Sequence, residues 1–152
     1  ICTPPFRKKT DNEILWKYLK NEVIRFIGTD HCPFTKAQKK KFSDSFINYV
    51  YGLPGIEFSP ILMISEMRKR KFDYPLISRL LSTNAAKYFN LYPQLGVLKE
   101  NSKADLFVYN PKETQMLSYK NWLINSDFNQ FENCKVNGKI ELVIFDGNIV
   151  KS

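Results

Sequence analysis

One short stretch of the chain, "FIGTDHCPF" (residues 26–34), places an acid, an imidazole and a thiol side by side, and its His31 is the only histidine. Asp30, His31 and Cys32 directly follow an apolar run (Val23, Ile24, Phe26, Ile27) that stops at Gly28. A carboxylate can ligate a metal or act as a general base. A thiol beside an imidazole could be an activated nucleophile. Neighbours in an extended segment point to opposite faces, so His31 and Cys32 pair poorly for that role. Asp30 keeps two readings on residues alone. It stands at the end of a predicted strand, where α/β folds put their chemistry; equally, it could cap the next turn with His31 packed beside it. A hydrolytic metal centre takes three or more protein ligands, and the chain has no HxH, no HExxH and no second histidine. Asp30 as a ligand therefore could not complete a typical site on this chain alone. Gly52 and Gly55 are followed by neither GK[ST] nor a GxGxxG pattern, which excludes a phosphate-cradling loop. The Arg68–Lys71 run reads as a solvated helix end rather than an anion site.

The elements that must position these residues are legible in outline. "TDNEILWKYLKN" predicts a short helix, with Thr10 and Glu13 at capping-box spacing. Its expected buried stripe is Ile14, Leu15, Tyr18 and Leu19. "EVIRFIG" predicts a buried strand, and helix followed by strand is the grammar of an α/β fold. Residues 35–52 read as a loop with one helical turn. "GLPGIE" leads into a helix from Ile56 to about Arg70, with its basic end suited to the helix dipole. "PLISRLLSTNAAKYFNLYP" predicts two shorter helices, the second capped near Ser82 to Asn84. After Gly96 the texture turns to strands, "KADLFVYNP" and "KIELVIFDGNIVKS", with a tight turn at Asp146-Gly147 or Gly147-Asn148. Two subregions are expected, residues 1–93 and 94–152.

With 152 residues, 43% of them hydrophobic, the chain is long enough for one real core. Twelve Phe and eight Tyr make that core aromatic-rich. The net charge of +8 is carried by scattered lysines rather than a basic stripe with interleaved aromatics, so nucleic-acid binding is not expected. Three widely spaced cysteines without a CxxC argue against a disulfide framework and for a reducing compartment, the cytoplasm. No apolar run approaches the ~18 residues of a membrane span, and no signal peptide is evident. The chain opens on "ICTPPF" without a methionine, and it is expected to be a piece of a longer polypeptide.

Seven stretches in order carry a resemblance: "TPPFR", "IGTDHCPF", "AQK", "GLPGIE", "LLSTNAAKYFNLYP", "LGVLKENSKADLFVYNP" and "VNGKIELVIFDGNIV". From about Thr3 to Ile149 the chain resembles the C-terminal third of the dihydropyrimidinase/hydantoinase branch of the cyclic amidohydrolases. "GTDHCPF" and "STNAAKYFNLYP" are the specific parts. The resemblance implies the end of a (β/α)8 barrel over residues 1–93 and strands of a small β-sandwich over 94–152. It implies two divalent metal ions, zinc, and a homotetramer acting on a small-molecule cyclic amide. Asp30 matches the family's aspartate after the last barrel strand. That residue binds one metal, takes the proton from a metal-bound hydroxide as it attacks the ring, and passes it to the leaving nitrogen. Thr3, before the double proline, matches a residue whose backbone touches the substrate ring. Tyr51 stands where the family usually has Asn in a second backbone contact, a departure that could reshape the pocket. His31 and Cys32 also match the family pattern, and they are expected to shape the loop rather than to ligate metal. The family's HxH pair, carboxylated lysine and two further histidines fall upstream of Ile1.

Two functions follow. The leading one is a fragment of a hydrolase that opens dihydropyrimidine or hydantoin rings to N-carbamoyl amino acids, inactive as this chain alone. The alternative is a non-catalytic binding protein of the collapsin response mediator type. Those relatives typically lose the metal-binding aspartate, so Asp30 favours the hydrolase. A free-standing basic module is the third reading, disfavoured because a lone barrel strand leaves exposed edges.

Overall fold

The computed structural model of the chain describes residues 2–41, 44 and 47–151. Among the described residues, five α-helices precede a three-stranded antiparallel sheet. Helix α1 spans Lys9–Lys20, close to the prediction, but its cap lies two residues before the expected one. The Lys8 backbone N–H donates to Asp11 Oδ2 at 3.1 Å, so the capping pair is Lys8 and Asp11 rather than Thr10 and Glu13. Its buried stripe also differs. Leu19 is buried and Trp16 packs beside it, while Ile14, Leu15 and Tyr18 are 49%, 48% and 45% exposed. Helical spacing identifies an apolar face; which part of it finds a partner is decided by the tertiary structure.

The predicted strand at residues 22–28 is extended at its end but forms no ladder. A ladder needs a neighbouring strand to supply alternating donors and acceptors. Here the backbone turns to helices instead. Val23 N–H and Ile24 N–H donate to Tyr18 O, and Ile27 N–H donates to Leu80 O at 3.1 Å. Glu22 pairs with Arg79 through both carboxylate oxygens at 3.0 Å, and Asn84 Nδ2 donates to Arg25 O at 2.7 Å. One short bridge remains, a parallel pairing of His31 with Leu53.

Helix α2 (Lys36–Lys41) supplies the helical turn expected within 35–52, of which residues 42, 43, 45 and 46 lie outside the described set. Helix α3 (Ser59–Lys69) begins later than Ile56, with Pro60 in its first turn, where a missing N–H costs nothing. Then come α4 (Tyr74–Ser78), a π-helical turn (Arg79–Thr83) and α5 (Asn84–Tyr88). Asp73 caps this run by accepting from Leu76 N–H at 2.8 Å. Helix α5 does begin at Asn84, inside the region predicted for the second cap, but no side chain caps it, because Thr83 and Asn84 keep helical dihedrals and the helical path runs on through the π-turn. Their side chains serve tertiary bonds instead: Thr83 Oγ1 donates to Gly96 O at 2.6 Å and Asn84 reaches Arg25 O.

Strands β1 (Leu106–Met116), β2 (Lys135–Phe145) and β3 (Asn148–Lys151) follow in sheet order β1-β2-β3. The register of β1 on β2 breaks between Asn110 and Thr114, across Pro111, which has no N–H to donate. Asp146 and Gly147, at φ +48° and +80°, make the two-residue turn between β2 and β3.

Helix α3 joins the two halves. Ile64 and Met67 pack with Leu19, Phe72, Leu76, Ile77 and Leu80, while Phe58 and Ile61 pack with Leu117 and Val136. Buried Ser65 accepts the Asn137 N–H at 2.9 Å, fixing helix to strand. At the short 3-10 helix Tyr119–Asn121, Tyr119 N–H and Ser118 Oγ donate to Glu132 at 3.0 and 2.8 Å.

Leu80 is fully buried, and its carbonyl also holds Ile27. Leu80→Ala is expected to cost about 2–5 kcal/mol, read as a lower urea midpoint. The Tyr119 N–H, helped by Ser118 and Asn129, holds the Glu132 carboxyl below the usual carboxylate range. A depressed folded value contributes stability that is complete above the unfolded value and is lost as pH falls through the folded one. Glu132→Gln should therefore lower the unfolding midpoint near neutral pH and narrow its gap to wild type in acid.

Candidate functional site

Asp30 ends the extended segment in the left-handed region, at φ +44°. Asp tolerates this conformation better than most residues, yet it still requires support from both sides. Upstream, Ile27 is tied to Leu80. Downstream, His31 Nδ1 accepts the backbone N–H groups of Gly55 and Ile56 at 3.0 and 3.2 Å. Cys32 N–H donates to Leu53 O at 3.1 Å. The result is an exposed carboxylate on a loop whose following residues are anchored.

The segment that receives these bonds contains Tyr51. Gly52 lies so close to Cys32 that a Cβ there would sit 2.5 Å from Cys32 Cβ, and its φ of +142° is also unfavourable to other residues. The half-buried Tyr51 ring meets Tyr49 edge-on, with centroids 5.5 Å apart. Leu53 then lines a cavity of ≈ 310 Å³ with Cys2, Pro5 and Phe6. Exposed Thr3 follows Cys2 in this same segment. The three residues singled out in the sequence thus flank one junction: Asp30 precedes the residue paired with Leu53, Tyr51 stands two before it, and Thr3 lies between residues that share its cavity.

Lysine 39, read in the sequence as one of several scattered charges, is built into the same region. Its Nζ donates to Val50 O at 3.2 Å and lies 5.8, 5.7 and 6.0 Å from the ring centres of Phe34, Tyr49 and Phe128. Burial pushes its ammonium below the ordinary lysine range, against the pull of the Cys32 and Cys2 thiols. Glu57 was likewise missed. It accepts from Leu123 and Ile124 N–H at 2.8 and 3.3 Å. No sequence signal marks either, since their partners lie up to 89 residues away (128 − 39).

The donors present do not make a metal site by themselves. Among the described residues no group of three or more His, Cys, Asp or Glu side chains could hold a metal ion. His31 Nδ1 is already occupied as an acceptor, and Cys2, Cys32 and Cys134 are separate free thiols. One exposed carboxylate falls short of the three or four ligands that such ions take. Among the described residues no helix is long and apolar enough to cross a membrane.

The sequence profile of the amidohydrolase family matches residues 1–150. The chain belongs to the amidohydrolase family. This amidohydrolase chain is 32% identical to a dihydropyrimidinase of Arabidopsis thaliana over 154 residues, covering 99% of the chain and 28% of that relative. It is 29% identical to the human dihydropyrimidinase-related protein 5 over 152 residues, covering 99% of the chain and 27% of that protein. Among solved structures, the D-hydantoinase (dihydropyrimidinase) from Thermus sp. superimposes with a TM-score of 0.94 at 34% identity, over 99% of the chain and 33% of that structure. The chain spans about a third of the length of the proteins it matches. Its mixed helical and antiparallel architecture is therefore that of the amidohydrolase fold over this portion.

The junction yields a paired prediction. Gly52→Ala should destabilise by about 1–3 kcal/mol, because the added methyl meets Cys32. At Gly28 a Cβ meets nothing within 4 Å, and Gly28→Ala should stay within about 0.5 kcal/mol of wild type. Equilibrium unfolding of the two variants side by side checks the contrast.

Proposed function

We propose that the chain is the C-terminal third of a hydrolase that opens cyclic amides, dihydropyrimidines or hydantoins, to N-carbamoyl amino acids. The observation that carries this reading is Asp30: an exposed carboxylate, set between two anchors, within a chain matched along its length by the amidohydrolase profile. In this reading the Asp30 carboxylate takes a proton from the attacking water and returns it to the leaving ring nitrogen. A positioned carboxylate at hydrogen-bond distance is suited to that transfer. Thr3 and Tyr51 would meet the ring through their backbone from the other two sides of the junction. Residues 1–93 would belong to a (β/α)8 barrel and residues 94–152 to a β-sandwich. Two divalent ions, zinc, would take Asp30 as one ligand and the rest from the other two thirds of the protein. The whole protein is proposed as a cytoplasmic homotetramer.

The retained carboxylate sets this reading above that of a non-catalytic binding protein, despite the comparable identity to the human dihydropyrimidinase-related protein. The test uses the full-length protein and its Asp30→Asn variant, with ring opening of dihydrouracil and hydantoin followed by loss of ultraviolet absorbance. Wild type should turn over both or one of them, and Asp30→Asn should lower kcat by about 10²–10⁴-fold. Hydrolysis by the variant at the wild-type rate, or none by wild type, would sink the reading.

A further inference from the structure

We propose that His31 is a positioning residue for Asp30: its imidazole, with the proton on Nε2, latches the carboxylate-bearing loop to the turn in front of α3. This rests on the hydrolase reading and goes beyond it, since it gives the lone histidine a specific part. Nδ1 accepts two backbone N–H groups, those of Gly55 and Ile56, at 3.0 and 3.2 Å. A ring nitrogen can accept only through its lone pair, so the proton is on the other nitrogen. Gly55 is buried, and its N–H would lose a partner if the ring were removed.

The latch holds a fixed object. Gly55 O accepts the Ser59 N–H at 2.9 Å at the head of α3, and α3 packs into both apolar cores. The loop it secures is also not self-supporting. Asp30 is at φ +44°, and a non-glycine residue stays there only when its surroundings over-determine it. Ile27 is the anchor before Asp30, and His31 with Cys32 is the anchor after it. Without the imidazole, the constraint on that side falls back, among the described residues, on the short backbone pairing with Leu53, which includes the Cys32 N–H to Leu53 O bond. Asp30 is then free to return to ordinary negative φ, which re-aims its carboxylate.

Asparagine carries an acceptor oxygen on Cγ, as histidine carries Nδ1, so His31→Asn can keep the latch. His31→Phe keeps ring volume and removes the acceptor. The full-length protein and these two variants are compared by kcat, KM, thermal midpoint and amide hydrogen exchange at Gly55 and Ile56. The expected result is that His31→Phe lowers kcat by about tenfold to a hundredfold, the cost of a misplaced reacting group, with KM unchanged and the two amides deprotected. His31→Asn should restore most of the rate and the protection. A folded His31→Phe protein with wild-type kcat overturns the proposal. If His31→Phe does not fold, His31→Asn decides: a folded variant with protected amides and near wild-type kcat supports the latch, and one that keeps the amides protected but loses about tenfold or more in kcat overturns it. Asp30→Asn is run alongside. Wild-type hydrolysis in Asp30→Asn defeats the hydrolase reading itself, whereas its loss there together with an unimpaired His31→Phe defeats only the latch.

Discussion

The backbone of residues 53–58 has to satisfy its polar groups without belonging to a helix or a sheet, and most of the site's geometry follows from how it does so. Unpaired buried N–H and C=O groups are costly, so nearly every one must find a partner. Leu53 O takes the Cys32 N–H, and Pro54 O takes Gln130 Nε2 at 2.9 Å. The Gly55 and Ile56 N–H groups go to His31, and Gly55 O starts α3. Glu57 takes two N–H groups from residues 123 and 124. Phe58 stacks on Trp122 at 4.8 Å and meets Phe131 edge-on at 5.6 Å. Six residues thus tie the loop that follows Asp30 to a stretch nearly seventy residues further on.

The stretch from 122 to 131 answers from the other side. Asp127 accepts the Lys36 N–H at 2.7 Å, and Ser126 Oγ donates to Phe34 O at 3.2 Å. These bonds hold the chain just beyond Cys32, while Gln130 and the 123–124 amides hold the chain beyond Tyr51. An irregular segment with little regular structure of its own is therefore what spaces the two site-bearing loops. Lys39 completes the arrangement. Its half-buried ammonium is partnered by Val50 O and lies near three ring faces, contacts that offset part of the cost of its partial burial.

Features set by neighbours in the chain were legible in the sequence. The extent of α1, the basic end of α3 and the Asp146-Gly147 turn each rest on local propensity, dipole or φ requirements, and they appear where expected. Features set by distant partners were not. Ile14, Leu15 and Tyr18 match the helical period as well as Leu19 does, and only packing separates them. Residues 22–28 have the composition of a buried strand and bond to helices instead. Ser82 to Asn84 have the chemistry of a cap, yet Thr83 and Asn84 spend it on Gly96 and Arg25. The candidate site was legible in part for the same reason. Asp30 and its neighbours form a contiguous motif, whereas Glu57 acquires its part from residues 123 and 124, and Lys39 acquires its from the loop around Val50 and from Phe128.

The way the junction is assembled also limits how its residues can be treated. Segments 30–32 and 51–53 are joined by the backbone bond from Cys32 N–H to Leu53 O, and segment 2–6 shares the cavity that Leu53 lines. Backbone bonds survive a change of side chain unless the new side chain intrudes. A substitution at Tyr51 can therefore change what packs against Tyr49 without breaking the Cys32–Leu53 backbone bond, whereas a methyl group at Gly52 pushes on Cys32 directly. Residues that share a support of this kind couple, and their substitutions are not additive. The carboxylate of Asp30 is exposed and chemically free, but its position is a property of the whole junction.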